Sequence, residues 1–210
     1  RDIELIIKEG FSEKVVVKTG ANLLNDIKVE VIGSQLILTD SNVCNYTRAY
    51  GMTKIYVTAS NITEIRSSTQ YDIKSDGVLT YPNLTILSED FNEPETITSG
   101  NFYLEVDNNR FTLIFNNLSH AFIIGKTNNL QVTMASGLSR FEGRNFIAQK
   151  VNLWNRSSND MIINPQQELK GKISGTGNVI VVNRPPIIEV EEAVNKIRAE
   201  VDSEAELIFG

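Results

Sequence analysis

LQVTMASGLSRF, VNLWNRSSNDMI and LKGKISGTGNVI are three similar stretches of the chain, at residues 130–141, 151–162 and 169–180. Each begins with an alternating apolar strand, passes through a small polar turn of Ser, Asn or Gly, and ends in a second short apolar strand. Ser136, Ser157 and Gly175 align in one column of the turns. Self-similarity at about 20 residues without a helical pattern is typical of stacked β-coils.

The same alternation of apolar and polar residues continues outside these stretches. It predicts strands near residues 3–7, 15–17, 27–31, 36–38, 54–58, 102–106, 111–115 and 187–190. Turns containing Gly or Asn separate most of these runs about every 8–12 residues, which is an all-β signature. The first four runs, with turns such as Lys8–Gly10 and Ile32–Ser34 between them, predict N-terminal β-hairpins.

We therefore predict an all-β fold, a right-handed single-stranded β-helix-like solenoid with N-terminal β-hairpins and a short C-terminal helical or extended tail. The right hand follows from the preferred hand of parallel crossover connections. Residues 1–188 form the predicted solenoid domain, and residues 189–210 form a charged tail. Pro185 and Pro186 interrupt the coil pattern, since proline donates no ladder hydrogen bond. Apolar residues at helical spacing within 191–205 predict a short capping helix, and 207–209 a last strand.

The alternation also assigns side chains to the interior of the coil. The predicted core residues are Ile55, Val57, Leu104, Val106, Leu113, Phe115, Val132, Met134, Val151, Leu153, Val179 and Val181.

Composition limits the classes of function. The chain of 210 residues is 41% hydrophobic and carries a formal net charge of −6. This acidic balance argues against nucleic-acid binding, which needs a basic surface. No apolar run approaches the ~18 residues of a membrane span. The single cysteine, Cys44, cannot form an intrachain disulfide and is expected to be a small buried residue. The chain starts at Arg1 without a signal-peptide pattern, so we interpret it as a trimmed mature segment.

Motifs for catalysis or cofactor binding are missing from the sequence. There is no nucleophile elbow, phosphate-binding loop, paired-His metal motif or cysteine ligand set. Gly175-Thr-Gly177 is followed by neither Lys-Ser/Thr nor a helical pattern, so it is interpreted as a β-turn. We predict no catalytic residues, no metal site and no cofactor.

His120, Arg140 and Asp160 are the nearest approach to a functional constellation. Their equal spacing matches the repeat, so coils of that length would stack them on adjacent strands, ~4.8 Å apart. Such a column could bind an acidic sugar, with Arg140 holding the carboxylate and His120 or Asp160 acting on a proton. The alternative is a solvent-exposed ladder with an Arg140–Asp160 ion pair worth at most ~1 kcal/mol.

Trp154 and Arg156 complete the predicted ligand-contact residues. If Val151 and Leu153 point inward, the alternation of the strand turns Trp154 outward, beside Arg156. An outward tryptophan next to an arginine suits sugar stacking or contact with a protein partner. Half-buried packing on the sheet is the alternative interpretation.

Several segments together resemble a known family. These are NLLNDIKVEVIGSQLIL at 22–38, CNYTRAY at 44–50, ITEI at 62–65, LKGKISGTGNV at 169–179 and the following Pro-Pro. The pattern, over about residues 1 to 190, resembles the putative auto-transporter adhesin, head GIN domain family, a domain of unknown function common in exported Bacteroidetes proteins. The resemblance implies a β-helix-like fold, export to the periplasm or outer-membrane surface, and anchoring through a lipid on residues outside this chain.

These observations favour a non-enzymatic, exported, adhesin-like binding module of the bacterial cell envelope, with a glycan or protein as ligand. One alternative is a carbohydrate-active enzyme, a polysaccharide lyase or hydrolase, because parallel β-helices also carry such activities. A further alternative is a structural or lipid-associated envelope protein. The sequence leaves open whether copies of the chain associate as a homo-oligomer.

Overall fold

The computed structural model describes residues 2–41, 53–92, 94–192 and 207–209. Apart from one 3-10 helix at Leu24–Asp26, its regular elements are strands. The strands are β1 Ile3–Glu9, β2 Lys14–Lys18, β3 Ile27–Ile32, β4 Gln35–Asp40, β5 Thr53–Ala59, β6 Glu64–Arg66, β7 Ile73–Leu79, β8 Asn83–Ser88, β9 Asn101–Phe115, β10 His120–Met134, β11 Arg140–Asn155, β12 Met161–Ile173, β13 Val179–Val181, β14 Ile187–Glu192 and β15 Leu207–Phe209.

The long strands β9 to β12 are the coils of a β-solenoid with about six turns. In β9, every second residue from Phe102 to Val106 is buried, and this alternation starts again at Phe111. The more exposed residues between Val106 and Phe111 form a corner. Each long strand therefore has two halves that lie on opposite walls of the coil. Consecutive coils pair in parallel along both halves. The prediction of an all-β solenoid is confirmed, and its right-handed winding stays a prediction.

Two walls result, which we call sheet A and sheet B. Sheet A contains the first halves of β9 to β12, with β13 at one end and β7, β1, β5 and β2 at the other. Sheet B contains the second halves of β9 to β12, with β14 at one end and β8 and β6 at the other. The ring centroids of Phe102 on sheet A and Phe115 on sheet B lie 5.1 Å apart. The hydrophobic core thus fills the space between the two sheets.

The predicted core assignment is confirmed. Every residue named for the interior is buried, from Ile55 at 0% exposure to Val57 at 7%. Large aromatic side chains fill the widest part of the coil, where the rings of Phe111 and Phe146 meet edge to face at 5.5 Å.

The turns between coils are stacked in register. Met134 pairs with Asn155 and Asn155 pairs with Ile173, so Ser136, Ser157 and Gly175 follow at equivalent positions. The repeat is one residue longer where Gly125 pairs with Phe146 than where Phe122 pairs with Glu142, because the register shifts at a bulge between these pairs. Coil length therefore differs between the two ends of one strand.

The N-terminal end is built differently from the coils. β3 and β4 form one of the predicted hairpins, pairing antiparallel from Ile27–Asp40 to Ile32–Gln35. β1 and β2 do not pair with each other: both pair with β5, β1 in parallel and β2 antiparallel. β1 also pairs with β7, so the first strand of the chain is inserted between two later strands.

At the C-terminal end, β14 pairs with the second half of β12, and β15 pairs antiparallel with β13. The two last strands expected from the sequence are thus present. The predicted capping helix lies mostly in 193–206, outside the described residues, as does Cys44. The division of the chain at residue 188 stays a prediction, and β14 continues across that position. No helix among the described residues has the length and apolarity to cross a membrane.

Candidate functional site on the outer faces

His120 and Arg140 lie side by side on the outer face of sheet A. They are paired residues of β10 and β11, and Asn101 of β9 pairs with His120 on its other side. Asp160 takes the next place in this column, because it directly precedes Met161, which pairs with Phe141. The structure therefore brings His120, Arg140 and Asp160 together on successive coils, as their spacing in the sequence predicts.

Their hydrogen bonds differ from those expected. A terminal nitrogen of Arg140 donates to Glu142 Oε2 at 2.9 Å, whereas Asp160 Oδ1 accepts from the backbone and side-chain nitrogens of Asn178 at 3.2 and 3.1 Å. The predicted Arg140–Asp160 ion pair is wrong. Residues two apart in a strand share a face, so Glu142 is available to Arg140 on its own strand. Buried Arg140 Nε has no hydrogen-bond partner among the described residues.

An aromatic pair lies beside this column. The rings of Tyr103 and Phe122 are stacked nearly parallel, at 5° and 4.9 Å between centroids, and Lys74 Nζ lies 5.8 Å from the Tyr103 centroid. The two rings cover one face of each other across neighbouring strands, and Tyr103 is still 40% exposed. This pair, which the sequence analysis did not find, stabilises the sheet as a cross-strand contact.

Trp154 occupies the outer face of sheet B, with 39% of its surface exposed. Val151 and Leu153 on the same strand are buried, so the predicted outward direction of Trp154 is confirmed. The guanidinium carbon of Arg156 lies 5.6 Å from the centroid of its ring. The paired residues of Trp154 on the neighbouring coils are Thr133 and Lys172.

The charges around Trp154 are unevenly distributed. The outer positions of sheet B on β8 to β11 carry Arg110 and Lys150 among amides, hydroxyls and apolar groups, and Arg156 follows at the end of β11. None of these outer positions carries a carboxylate. Acidic residues on this face lie toward the two ends of the sheet, with Glu64 on β6 and lysine-paired glutamates on β12 and β14. The chain is acidic as a whole, but the part of sheet B on β8 to β11 is locally cationic.

Ion pairs between lysine and glutamate lie next to the cationic part of sheet B, on β12 and β14. Lys170 Nζ lies 3.4 Å from both Glu168 and Glu189, and Lys172 Nζ lies 2.9 Å from Glu191. Hydrogen bonds to Glu168 and Glu189 raise the pKa of Lys170, which stays charged. Arg110, Lys150 and Arg156 have no carboxylate partner within the described part of the chain.

The five predicted ligand-contact residues therefore lie on two faces. His120, Arg140 and Asp160 are on sheet A, and Trp154 and Arg156 are on sheet B, with the hydrophobic core between them. The sequence analysis predicted a single face for these residues, because the repeat shows which residues are equivalent on successive coils. The repeat does not show where each strand bends from one wall to the other. The strand β11 starts with Arg140 on one wall and ends near Trp154 on the other.

A third surface feature lies where the turns stack. An open groove of about 470 Å³ is lined by Thr98, Ser99, Asn117, Leu118, Gly137 and Leu138. Leu118 and Leu138 are half exposed, at 52% and 48%. Among the described residues there is no group of three or more His, Cys, Asp or Glu side chains that could hold a metal ion.

The fold and these surfaces define the chain as a β-solenoid protein that displays polar groups on its outer sheets and stacked turns. The sequence profile of the family described as "Putative auto-transporter adhesin, head GIN domain" matches residues 1–185. The chain belongs to this family, and the resemblance noted in the sequence is confirmed.

Solved structures support the fold at low sequence identity. A protein described as a putative adhesin from Bacteroides fragilis is 16% identical, with a TM-score of 0.74 over 90% of this chain and 84% of that one. A protein described as a putative lipid binding protein from Parabacteroides distasonis is 14% identical, with a TM-score of 0.63 over 92% and 87%. A putative adhesin from Parabacteroides merdae is 14% identical, with a TM-score of 0.51 over 91% and 88%. No curated protein matches the chain.

Proposed function

We propose that the chain is a non-enzymatic, adhesin-like binding module of the bacterial cell envelope. The observation that carries this proposal is the filled interior of the coil. Side chains from both sheets pack into one core, so the exposed polar groups of the described residues lie on flat sheets and stacked turns. Flat faces suit extended glycans or protein surfaces, whereas catalysis usually needs a concave site that excludes water.

Ligand contact is assigned to the outer faces. On sheet A the contacts are His120, Arg140 and Asp160, and on sheet B they are Trp154 and Arg156. The names of the family and of the structural neighbours are consistent with a binding role. The proposed location is the periplasm or the outer-membrane surface, reached by export and held by a lipid on residues outside this chain. In this proposal residues 1–188 are the binding domain and 189–210 are its tail.

A binding and turnover screen tests the proposal. The purified chain is applied to a glycan array, to phospholipid vesicles and to outer-membrane protein fractions, and is separately incubated with pectin-type polysaccharides. Saturable binding without release of products supports the binding module. Release of unsaturated or reducing ends from any polysaccharide would show a carbohydrate-active enzyme instead.

A further inference from the structure

The cationic part of sheet B has the composition of a carbohydrate-binding surface. Trp154 supplies an aromatic ring with 39% exposure, and its paired neighbours Thr133 and Lys172 are polar. Gln131 and Asn152 are paired residues on β10 and β11, and Thr112 of β9 pairs with Gln131. This row of a hydroxyl and two amides runs across the strands, with one group per strand at ~4.8 Å spacing. Such groups can both donate and accept hydrogen bonds, as sugar hydroxyls require.

The positively charged residues near Trp154 favour sugars that carry a carboxylate. Arg156 has no carboxylate partner in the described part of the chain, and its guanidinium carbon lies 5.6 Å from the centroid of the Trp154 ring. A guanidinium binds a carboxylate with two parallel hydrogen bonds, which gives both direction and strength. Lys150 lies on the same strand as Trp154, and Arg110 lies two strands away from Lys150 in the same row.

We propose that Trp154 and Arg156 form a subsite for a uronic-acid sugar of an acidic glycan that lies across sheet B. The sugar ring packs against Trp154, its carboxylate is held by Arg156, and the row from Thr112 to Asn152 binds hydroxyls of neighbouring sugars. Lys150 and Arg110 meet further carboxylates of the same glycan. This inference rests on the proposed function, and it names the class of ligand for one of the two faces.

Sheet A is less suited to this ligand. Its arginine, Arg140, is already bound to Glu142 at 2.9 Å, whereas the exposure of its ring Tyr103, 40%, is similar to that of Trp154. A carboxylate ligand there would have to displace a carboxylate of the protein. On sheet B, Arg110, Lys150 and Arg156 are bound to no carboxylate among the described residues, and Glu168, which is paired with Lys150 on β12, is already bound to Lys170 at 3.4 Å.

Trp154 is the only tryptophan of the chain, so its fluorescence reports directly on this subsite. The full chain is titrated with oligogalacturonate, oligomannuronate and hyaluronan oligosaccharides, with neutral galactose oligomers as controls. We expect a saturable change in fluorescence with at least one acidic oligosaccharide and none with the neutral ones. Affinity is measured in parallel by calorimetry, which also serves variants without the tryptophan.

Matched variants locate the contact. Arg156→Gln should weaken binding roughly tenfold or more, the cost of one bidentate charged pair, and Trp154→Ala should do so too. Arg184→Gln removes the same charge from the exposed segment between β13 and β14, outside both proposed contact surfaces, and should leave the affinity unchanged. Circular dichroism and thermal melting of each variant establish that it is folded.

Each other outcome overturns the inference. No fluorescence change with any acidic oligosaccharide would exclude a uronic-acid subsite at Trp154. Equal weakening by Arg156→Gln and Arg184→Gln would indicate non-specific attraction to the whole protein. If an acidic oligosaccharide binds with an affinity that neither Trp154→Ala nor Arg156→Gln changes, the subsite fails while the binding module stands.

Discussion

Phe115 and Leu153 test the inward assignment at the scale of single residues. Both side chains are buried, at 0% and 2% exposure, one in β9 and one in β11. Replacing either by Ala should lower the free energy of unfolding by about 2–5 kcal/mol, since the deletion removes apolar contacts and leaves a cavity. Urea denaturation of the purified variants measures the change.

The control is the residue next to Leu153. Trp154→Ala truncates a larger side chain, but that side chain points outward and is 39% exposed, so it should cost less than Leu153→Ala. A larger loss at Trp154 than at Leu153 would mean that the strand is one residue out of register.

Gly125 gives a second prediction at this scale. It has a φ of +106°, and a Cβ there would collide with the backbone carbonyl of Val106 on the neighbouring coil. Gly77 has a similar φ of +92° but open space around the Cβ position. Gly77→Ala should therefore cost only the strain of the left-handed backbone, about 1 kcal/mol. Gly125→Ala should cost clearly more, because two strands must also move apart, and comparing the two melting temperatures separates strain from collision.

Residue direction was predictable from sequence, but side-chain partners were not. Period-two alternation places every second residue inside regardless of which strands are neighbours, which is why Val132 and Leu153 are assigned correctly. The partner of Arg140 depends on a competition that the sequence does not resolve. Glu142 is two residues along the strand, while Asp160 is one coil away and is held by Asn178.

At the scale of elements, the pairing partners of β1 could not be predicted from the sequence. Ile3–Glu9 looks like the first strand of a hairpin, because a Gly-containing turn and another strand follow it. In the structure it pairs with β5 and β7, which lie much further along the chain. Alternation is a local signal and does not name a strand's neighbours. A hairpin was correctly predicted for β3 and β4, where the pairing itself is local.

Glu4 links the three strands at this insertion, and this predicts a pH dependence. Lys54 of β5 and Lys74 of β7 both bind its carboxylate, at 2.8 and 3.0 Å. Burial raises the pKa of Glu4, but the hydrogen bonds from Lys54 and Lys74 outweigh it and lower the pKa below its ordinary value of 4.5. The stabilisation is therefore present above the ordinary pKa and is lost as the pH falls through the lowered pKa.

Glu4→Gln should accordingly destabilise the chain at pH 7 by about 1 kcal/mol, the upper end for partly exposed ion pairs. The difference from the unmodified chain should shrink in acid, where Glu4 itself becomes protonated. Glu30→Gln is the matched control, because the Lys28–Glu30 pair is more exposed and lies within one strand. Urea denaturation as a function of pH measures both. A constant penalty of Glu4→Gln down to low pH would assign the loss to packing rather than charge.

At the scale of the whole molecule, the solenoid fold can be predicted from the repeat more directly than the candidate sites can. A spacing of about 20 residues is visible in the sequence because each coil must return to the same wall before the next begins. Bulges change the number of residues per coil locally. Ser136 and Ser157 in the turns are therefore one position further apart in sequence than the paired residues His120 and Arg140. The candidate residues were therefore placed on the correct coils, while the two walls that separate them became evident only in the structure.

The arrangement of two hydrophobic clusters predicts how the molecule opens. The main cluster runs between sheets A and B from Ile7 to Val181, and a second small cluster joins β1 and β5 to the hairpin β3–β4. Each coil from β9 to β12 contacts a coil on both sides, whereas β2 is paired only with β5 among the described strands. In a solenoid, stability is approximately a sum over neighbouring coils, so its ends open at lower free energy than its middle.

Native-state hydrogen exchange should therefore be slowest in β10 and β11 and fastest in β2 and the hairpin β3–β4. Leu38→Ala, which removes a partly buried contact from the second cluster, should speed exchange in the hairpin and leave β10 unchanged. Val132→Ala in the middle of the main cluster should instead lower protection throughout β9 to β12. If Leu38→Ala accelerated exchange equally in all strands, the two clusters would unfold as one cooperative unit, and the end of the solenoid would be coupled to its middle through Leu5, which packs against both clusters.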